Sequence, residues 1–352
     1  QDVLLPAVEN RLVTLIAAGM TFFWLAESWR GGGFLINSSS LQLPLIGLVL
    51  IGLIQIVPLG SYELEGLTAF RTLSMDAFAT KMFLTRLIVY LIFFAACLVL
   101  INSEKRIRTT VLLIVIFGAA MAFFGIMQRL SDPDGIYGMR ATPQAIPFGP
   151  FVNQHHFAAF MEMTGGLTLG LLFGRRTGRD RKILLGFALV LMGAAIVLTG
   201  SRGGLLGMVA VGAFAAVSSL MGRRGAEDPV SPNSRVGLGL LGVTLTLLTL
   251  GIVLFVGGGD SLLRGVGAGE ISTDFSSGRL HFWPIALKIF LAHPILGTGI
   301  DSFGVAFTRY DTWNGMFRVE QAHNDYLQIL AEAGIAGFAC LTAFIYLLFK
   351  KG

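Results

Sequence analysis

Runs of about 17 to 25 apolar residues recur along the chain, and a helix needs that length to cross roughly 30 Å of hydrocarbon. They do not alternate with the two-residue period of barrel strands, so the expected fold is all-α, a polytopic bundle of transmembrane helices. Of the 352 residues, 54% are hydrophobic and only 13% are charged. A soluble domain carries about a quarter charged residues, and a water-soluble fold has no way to cover so much apolar surface. Forty-five glycines fit the same picture, because they let membrane helices approach where no hydrophobic effect drives association. Cys97 and Cys340 lie inside apolar runs, which argues against a disulfide or a metal site built on them. The net charge of +5 comes without a long basic run. It sets membrane orientation and does not mark nucleic-acid binding.

About nine spans are expected by the length rule: residues 12–26, 41–58, 83–101, 109–129, 155–174, 183–199, 204–221, 236–256 and 333–349. Basic clusters then fall on one side if the spans alternate: Lys105, Arg106 and Arg108; Arg175, Arg176, Arg179, Arg181 and Lys182; Arg223, Arg224 and Arg235; Lys350 and Lys351. By the positive-inside rule that side is the cytoplasm. The loop 59–82, the stretch 130–154, the turn 200–203 and the segment 257–332 are thereby placed on the far side. This gives N-terminal transmembrane helices over 1–129, central ones over 130–256, a large outer loop over 257–332 and a last span in 333–352. Within that loop, Leu280 to Leu291 shows helical apolar spacing with Trp283 near its start, as expected of a helix lying in the membrane interface. Pro294 ends it, and Gly297 and Gly299 turn the chain. The chain opens on Gln1 rather than Met, so a processed or trimmed N-terminus is expected.

Ionisable groups near hydrocarbon cost several kcal/mol, so those outside the cytoplasmic clusters are candidates for function. Arg202 sits in the turn Gly200-Ser201-Arg202-Gly203-Gly204. It is read either as an arginine snorkelling at a helix end or as part of a phosphate cradle, with exposed amides beside a fixed guanidinium. Arg279, in Ser277-Gly278-Arg279, precedes the interfacial helix and shares a face with Trp283. Its alternatives are a lipid headgroup contact and a substrate contact. His323 begins His323-Asn324-Asp325-Tyr326 before the last span. Neutral, it can accept a proton, and charged, it can bind phosphate, while Asn324 and Asp325 also suit helix capping. Before the fifth span, Asn153, His155 and His156 offer hydrogen bonds to sugar hydroxyls or phosphate oxygens. Adjacent histidines point about 100° apart on a helix and do not converge on one metal ion. Arg140 adds positive charge in the same loop.

Gly149-Pro150-Phe151-Val152-Asn153-Gln154-His155-His156-Phe157-Ala158, Ser201-Arg202-Gly203, Ser277-Gly278-Arg279 to Trp283, His293-Pro294 to Gly297-Thr298-Gly299, and His323-Asn324-Asp325-Tyr326 together resemble the O-antigen ligase and O-antigen polymerase superfamily. The resemblance runs from about residue 140 to 349. It departs from the family pattern at His155, where many relatives carry a second Asn. What it implies is a multi-pass, GT-C-like glycosyltransferase of the bacterial inner membrane with its active site facing the periplasm. The implied reaction moves a glycan from undecaprenyl diphosphate to an acceptor hydroxyl with inversion, without metal or other cofactor. By the same resemblance, Arg202 and Arg279 hold the diphosphate and His323 is the essential histidine near the acceptor. Arg140, Asn153, His155, His156, Ser201, Trp283, Asn324, Asp325 and Tyr326 are the expected substrate contacts. Three acceptors stay open: a lipid A core sugar, another carrier-linked repeat, or a protein side chain.

Physically, a glycosyl diphosphate carries its own leaving-group energy, so catalysis needs positioning and stabilisation of departing negative charge. Guanidinium groups supply that charge in a fixed fork. Insensitivity to chelators is the corresponding expectation, with Asp274, Asp301 and Asp325 as the residues to consider should it fail. A transporter or lipid flippase is the competing class. It calls for inverted repeats and broken helices at the bilayer midplane, and no internal repeat is evident. A scaffolding protein would leave the three basic groups scattered, whereas the enzymatic reading requires Arg202, Arg279 and His323 to meet on the non-cytoplasmic side.

Overall fold

A computed structural model describes residues 4–64, 67–131, 135–142, 146–174, 177–222, 244, 247–255, 278–313 and 319–351. Its helices are α1 (Leu4–Arg30), α2 (Gln42–Gln55), α3 (Ala77–Leu100), α4 (Glu104–Ser131), α5 (Gln154–Phe173), α6 (Arg179–Thr199), α7 (Arg202–Gly222), α8 (Arg279–Ala292), α9 (Phe303–Thr308) and α10 (Asp325–Lys351). Among the described residues, α3, α4, α5, α6 and α10 are long and apolar enough to cross a membrane, and α2 and the described part of α7 are apolar but shorter. The chain is thus a helical membrane protein. Most helices outrun the expected spans by a turn or more, because backbone hydrogen bonding continues where the apolar run has stopped. The expected span 236–256 lies largely outside the described residues, of which 247–255 are helical. Also outside them are 257–277, with Asp274 and Ser277, and the basic residues Arg175, Arg176, Arg223, Arg224 and Arg235.

One departure from a purely helical reading is an antiparallel hairpin in the 59–82 loop. There β1 (Gly60–Leu64) pairs with β2 (Leu67–Arg71), with Gly60 opposite Arg71 and Leu64 opposite Leu67. Two five-residue strands are too short to stand out from a loop by periodicity alone.

The chain forms two compact units, one of residues 1–102 and 274–352, the other of residues 103–273. In the first, α10 departs from the sequence reading in a way that matters. It begins at Asp325, well before the expected 333, and breaks at Gly334, whose φ of 62° and ψ of −160° are not helical. A side chain there would run into the Ile295 carbonyl, so only glycine fits. Breaking a helix frees amides and carbonyls, which are costly in an apolar setting unless protein re-satisfies them. The segment 293–300 does this. Ile335 and Ala336 donate their N–H groups to Pro294 O and Ile295 O, while Thr298 and Gly299 donate theirs to Ala331 O and Glu332 O.

Gln55, fully buried at the end of α2, locks the segment in place. Its Nε2 donates to Leu296 O at 2.6 Å and Glu332 O at 2.8 Å, and its Oε1 accepts from Ile300 N at 3.0 Å. Thr80 of α3 donates to Ile300 O at 2.8 Å and accepts from Ser74 at 2.7 Å. The buried Glu332 carboxylate takes Phe303 N at 3.2 Å and Gln328 Nε2 at 2.7 Å. Above this polar knot, α8 and α9 pack through Phe282, Ile285, Ile289, Phe303 and Phe307 onto Ala331 of α10.

In the second unit α6 is the central helix, with about three-fifths (61%) of its apolar window buried. It packs with α4, α5 and α7 around Met161, Met192, Phe157 and Val197. Gly204 on α7 is a point of close approach, since a Cβ there would lie 2.8 Å from Ala158 Cβ and 3.2 Å from Ile196. Thr164 and Thr168 return their hydroxyls to the carbonyls of Phe160 and Thr164, which keeps both satisfied inside an apolar helix.

Candidate functional site

The site residues of the second unit gather where α5 and α7 begin. Residues 146–153 fold back on themselves through a Phe148–Phe151 bridge, and Asn153 then caps α5 by accepting His155 N at 2.8 Å. This capping presents His155 outward, where its Nδ1 lies 2.9 Å from the buried Ser201 hydroxyl. Ser201 in turn accepts Gly204 N at 3.2 Å, so one hydroxyl ties the imidazole to the first turn of α7. Gly200, left-handed at φ 65°, ends α6 and lets α7 start two residues later. Arg202 is the first residue of that helix and is exposed. His156 is also exposed and does not share the Ser201 contact. Arg140 closes a small loop through backbone bonds with Ile136, with N–O distances of 2.8 and 3.3 Å.

In the first unit, Arg279 is the first residue of α8, following Gly278 at φ 80°. His323 stands at φ 51°, a left-handed conformation uncommon for a residue with a side chain and held only where its surroundings dictate it. The neighbour Ala322 is gripped at both ends, its carbonyl accepting Trp283 Nε1 at 3.1 Å and its N–H donating to Gln328 Oε1 at 2.7 Å. Asn324 caps α10 by accepting Tyr326 N at 3.1 Å and Leu327 N at 3.2 Å. Its side chain is thereby engaged in the fold, the capping alternative foreseen for it. Asp325 opens α10, and Tyr326 is 57% exposed. The His323 ring lies 6.0 Å from that of Phe282. Desolvation, reinforced by the positive charge of Arg279, lowers its pKa from the usual 6.5. Arg279 and His323, 44 positions apart in sequence, are therefore electrostatic neighbours. Arg202 belongs to the other unit.

Sequence reasoning missed a cluster beside them. His281 Nε2 donates to Asp311 Oδ1 at 2.7 Å, and its ring stacks on Trp313 at 4.1 Å and 5°. Hydrogen bonds from His281 and from the Trp313 backbone hold the Asp311 carboxyl below its ordinary range. The pairing spans 30 residues, and neither partner sits in a recognisable motif, so no sequence signal announced it. Also missed was Arg86 inside α3, which acts electrostatically on Asp301. Desolvation raises the Asp301 carboxyl, Arg86 lowers it, and Asp76 and Glu320 raise it further.

In the first unit Arg279 opens a helix beside His323, whose backbone is constrained and whose pKa is lowered, and in the second Arg202 opens a helix next to Ser201 and its partner His155. Residues 187–342 match the family model of the O-antigen ligases. The match takes in Ser201, Arg202, Arg279, Trp283, His323, Asn324, Asp325 and Tyr326, so over this region the resemblance drawn from the motifs holds. With its apolar helices, the chain is a multi-pass membrane protein, and its part from residue 187 to 342 is similar to the O-antigen ligases. No curated protein and no solved structure matches it.

Proposed function

We propose that the protein transfers a glycan from undecaprenyl diphosphate to an acceptor hydroxyl at the periplasmic face of a bacterial inner membrane. One observation carries the reading. Arg202 and Arg279 are each the first residue of a helix, where the dipole is already positive. A cation in that position costs a few tenths of a kcal/mol to about 1 kcal/mol, and an anion bound beside it offsets that cost. A diphosphate is such an anion, and helix N-terminal amides suit its oxygens.

In this reaction the acceptor oxygen attacks the anomeric carbon and the bond from that carbon to the diphosphate oxygen breaks. The electron pair leaves on the diphosphate, and the acceptor proton passes to His323. Inversion follows from a single displacement. Arg279, the electrostatic neighbour of His323, neutralises the leaving group, and we assign Arg202 the same task. His155, oriented by Ser201, the partly buried Arg140 and the exposed His156, Asp325 and Tyr326 offer polar contacts to the glycan or the diphosphate. A lipid A core sugar is the acceptor we favour, ahead of a carrier-linked repeat or a protein side chain.

The test uses purified protein in lipid nanodiscs, a radiolabelled carrier-linked glycan and each acceptor class in turn. Wild type is expected to transfer, and Arg202→Ala, Arg279→Ala and His323→Ala to lose about a hundred- to thousandfold in rate with unchanged thermal stability. Full transfer by any one of these variants removes that residue from the mechanism.

A further inference from the structure

Trp313 is half exposed, at 49%, yet its position is fixed from three directions. One ring face lies flat on His281, its backbone N–H donates to Asp311 at 3.0 Å, and the edge of Phe282 approaches it at 5.8 Å. Asp311 serves both sides of the stack, since the same oxygen takes the His281 Nε2–H at 2.7 Å. A single carboxylate thus holds imidazole and indole in register. An indole that served only to fill the core would be buried, and one anchored loosely in headgroups would not need a hydrogen-bonded histidine beneath it.

Position supplies the second half of the case. The Phe282 ring lies 5.8 Å from that of Trp313 and 6.0 Å from that of His323, so the indole shares a ring neighbour with the proton acceptor. The partly buried His281 and Asp311 beside it pair with hydroxyls, as do exposed Gln321 and Asp325, which flank His323 along the chain. Pyranose rings have one face of axial C–H groups and a rim of hydroxyls. They match a rigid aromatic surface bordered by polar side chains, the usual make-up of a site where a few placed polar groups orient a ligand over apolar surface. An acyl chain would leave those polar groups unmatched.

Resting on the transfer reading above, we infer that Trp313, clamped by His281 and Asp311, is a stacking platform for a pyranose ring of the glycan that reacts at His323. The ring belongs to the acceptor or to the carrier-linked donor. Substitution separates this from a structural role. Trp313→Leu removes the platform, Trp313→Phe keeps an aromatic surface, and Asp311→Asn weakens the clamp without removing the indole.

The experiment measures binding first, by titration calorimetry of nanodisc-embedded protein with core oligosaccharide released from lipopolysaccharide by mild acid. Transfer kinetics with lipid-linked donor and the same acceptor follow. Wild type is expected to bind saturably, Trp313→Leu to bind about tenfold or more weakly, and Trp313→Phe to recover most of the loss. KM for one substrate is expected to rise by a similar factor with kcat little changed. A rise for the acceptor or for the donor equally supports the platform and names the source of the ring. Equal binding and equal KM in wild type and Trp313→Leu overturn the platform and leave the transfer reading standing. Absence of both saturable binding and transfer in wild type overturns the transfer reading, and the platform with it. A fall in thermal stability of Trp313→Leu with KM unchanged assigns the indole to lipid anchoring and also overturns the inference.

Discussion

Replacing Gln55 by Leu tests whether the broken helix is held by side-chain hydrogen bonds. The volume is nearly conserved, but the Leu296 carbonyl and the Ile300 N–H lose the partner that Gln55 supplies, and the Glu332 carbonyl keeps only the Gly299 N–H. The site is fully buried, so water has no ready access to replace the amide. An orphaned buried polar group costs about 1–3 kcal/mol. Two such losses and the weakened Glu332 carbonyl, offset by the better transfer of a Leu side chain, leave a net destabilisation of roughly 2–5 kcal/mol. At some 2–4 °C per kcal/mol for chains of 150–250 residues, the thermal midpoint should fall by about 4 °C or more. Scanning fluorimetry of the purified protein in a mild detergent measures this directly. Because Gln55 touches no proposed catalytic residue, kcat at a temperature well below the new midpoint should fall less than in Arg279→Ala. A midpoint within 2 °C of wild type would show that the segment 293–300 holds α10 open without this amide, and the account of the polar knot would be wrong.

The pH profile of transfer should show an acid limb centred below 6.5. Desolvation and the Arg279 charge depress the His323 pKa, so the imidazole is already neutral at pH 7 and loses its proton-accepting form only as pH drops through the lowered value. An inflection above 7 assigned to His323 by comparison with His323→Ala would contradict this. Gly204→Val should lower the thermal midpoint by several degrees, because even a Cβ meets Ala158 at 2.8 Å and overpacking typically costs about 1–3 kcal/mol. A midpoint equal to wild type would show that α5 and α7 are free to separate. Preincubation with EDTA should leave the transfer rate unchanged if guanidinium groups neutralise the diphosphate, and a loss restored by Mg²⁺ would direct attention to Asp301 and its neighbours instead.

Much of the helical architecture was legible in the chain because membrane helices satisfy their own backbone locally. An apolar run of sufficient length determines its own secondary structure without reference to any partner. The same locality made α8 readable from Leu280 to Leu291 and the α6–α7 turn from Gly200 and Ser201. The start of α10 was not legible from its apolar stretch, because the helix begins eight residues earlier than expected and breaks at Gly334. The break is stable only because residues 293–300 and Gln55, far away in sequence, take up the freed amides and carbonyls. Among the candidate residues, the sequence singled out Arg202, Arg279 and His323 as charges that membrane physics leaves unexplained. That Arg279 acts on His323, that Ser201 orients His155, and that Asp311 binds His281 beneath Trp313 are facts of tertiary structure. Residue type and spacing determine what a segment does alone. Only the packed chain decides which distant side chains come within hydrogen-bonding distance, and the strength of such contacts falls too steeply with separation for linear order to reveal them.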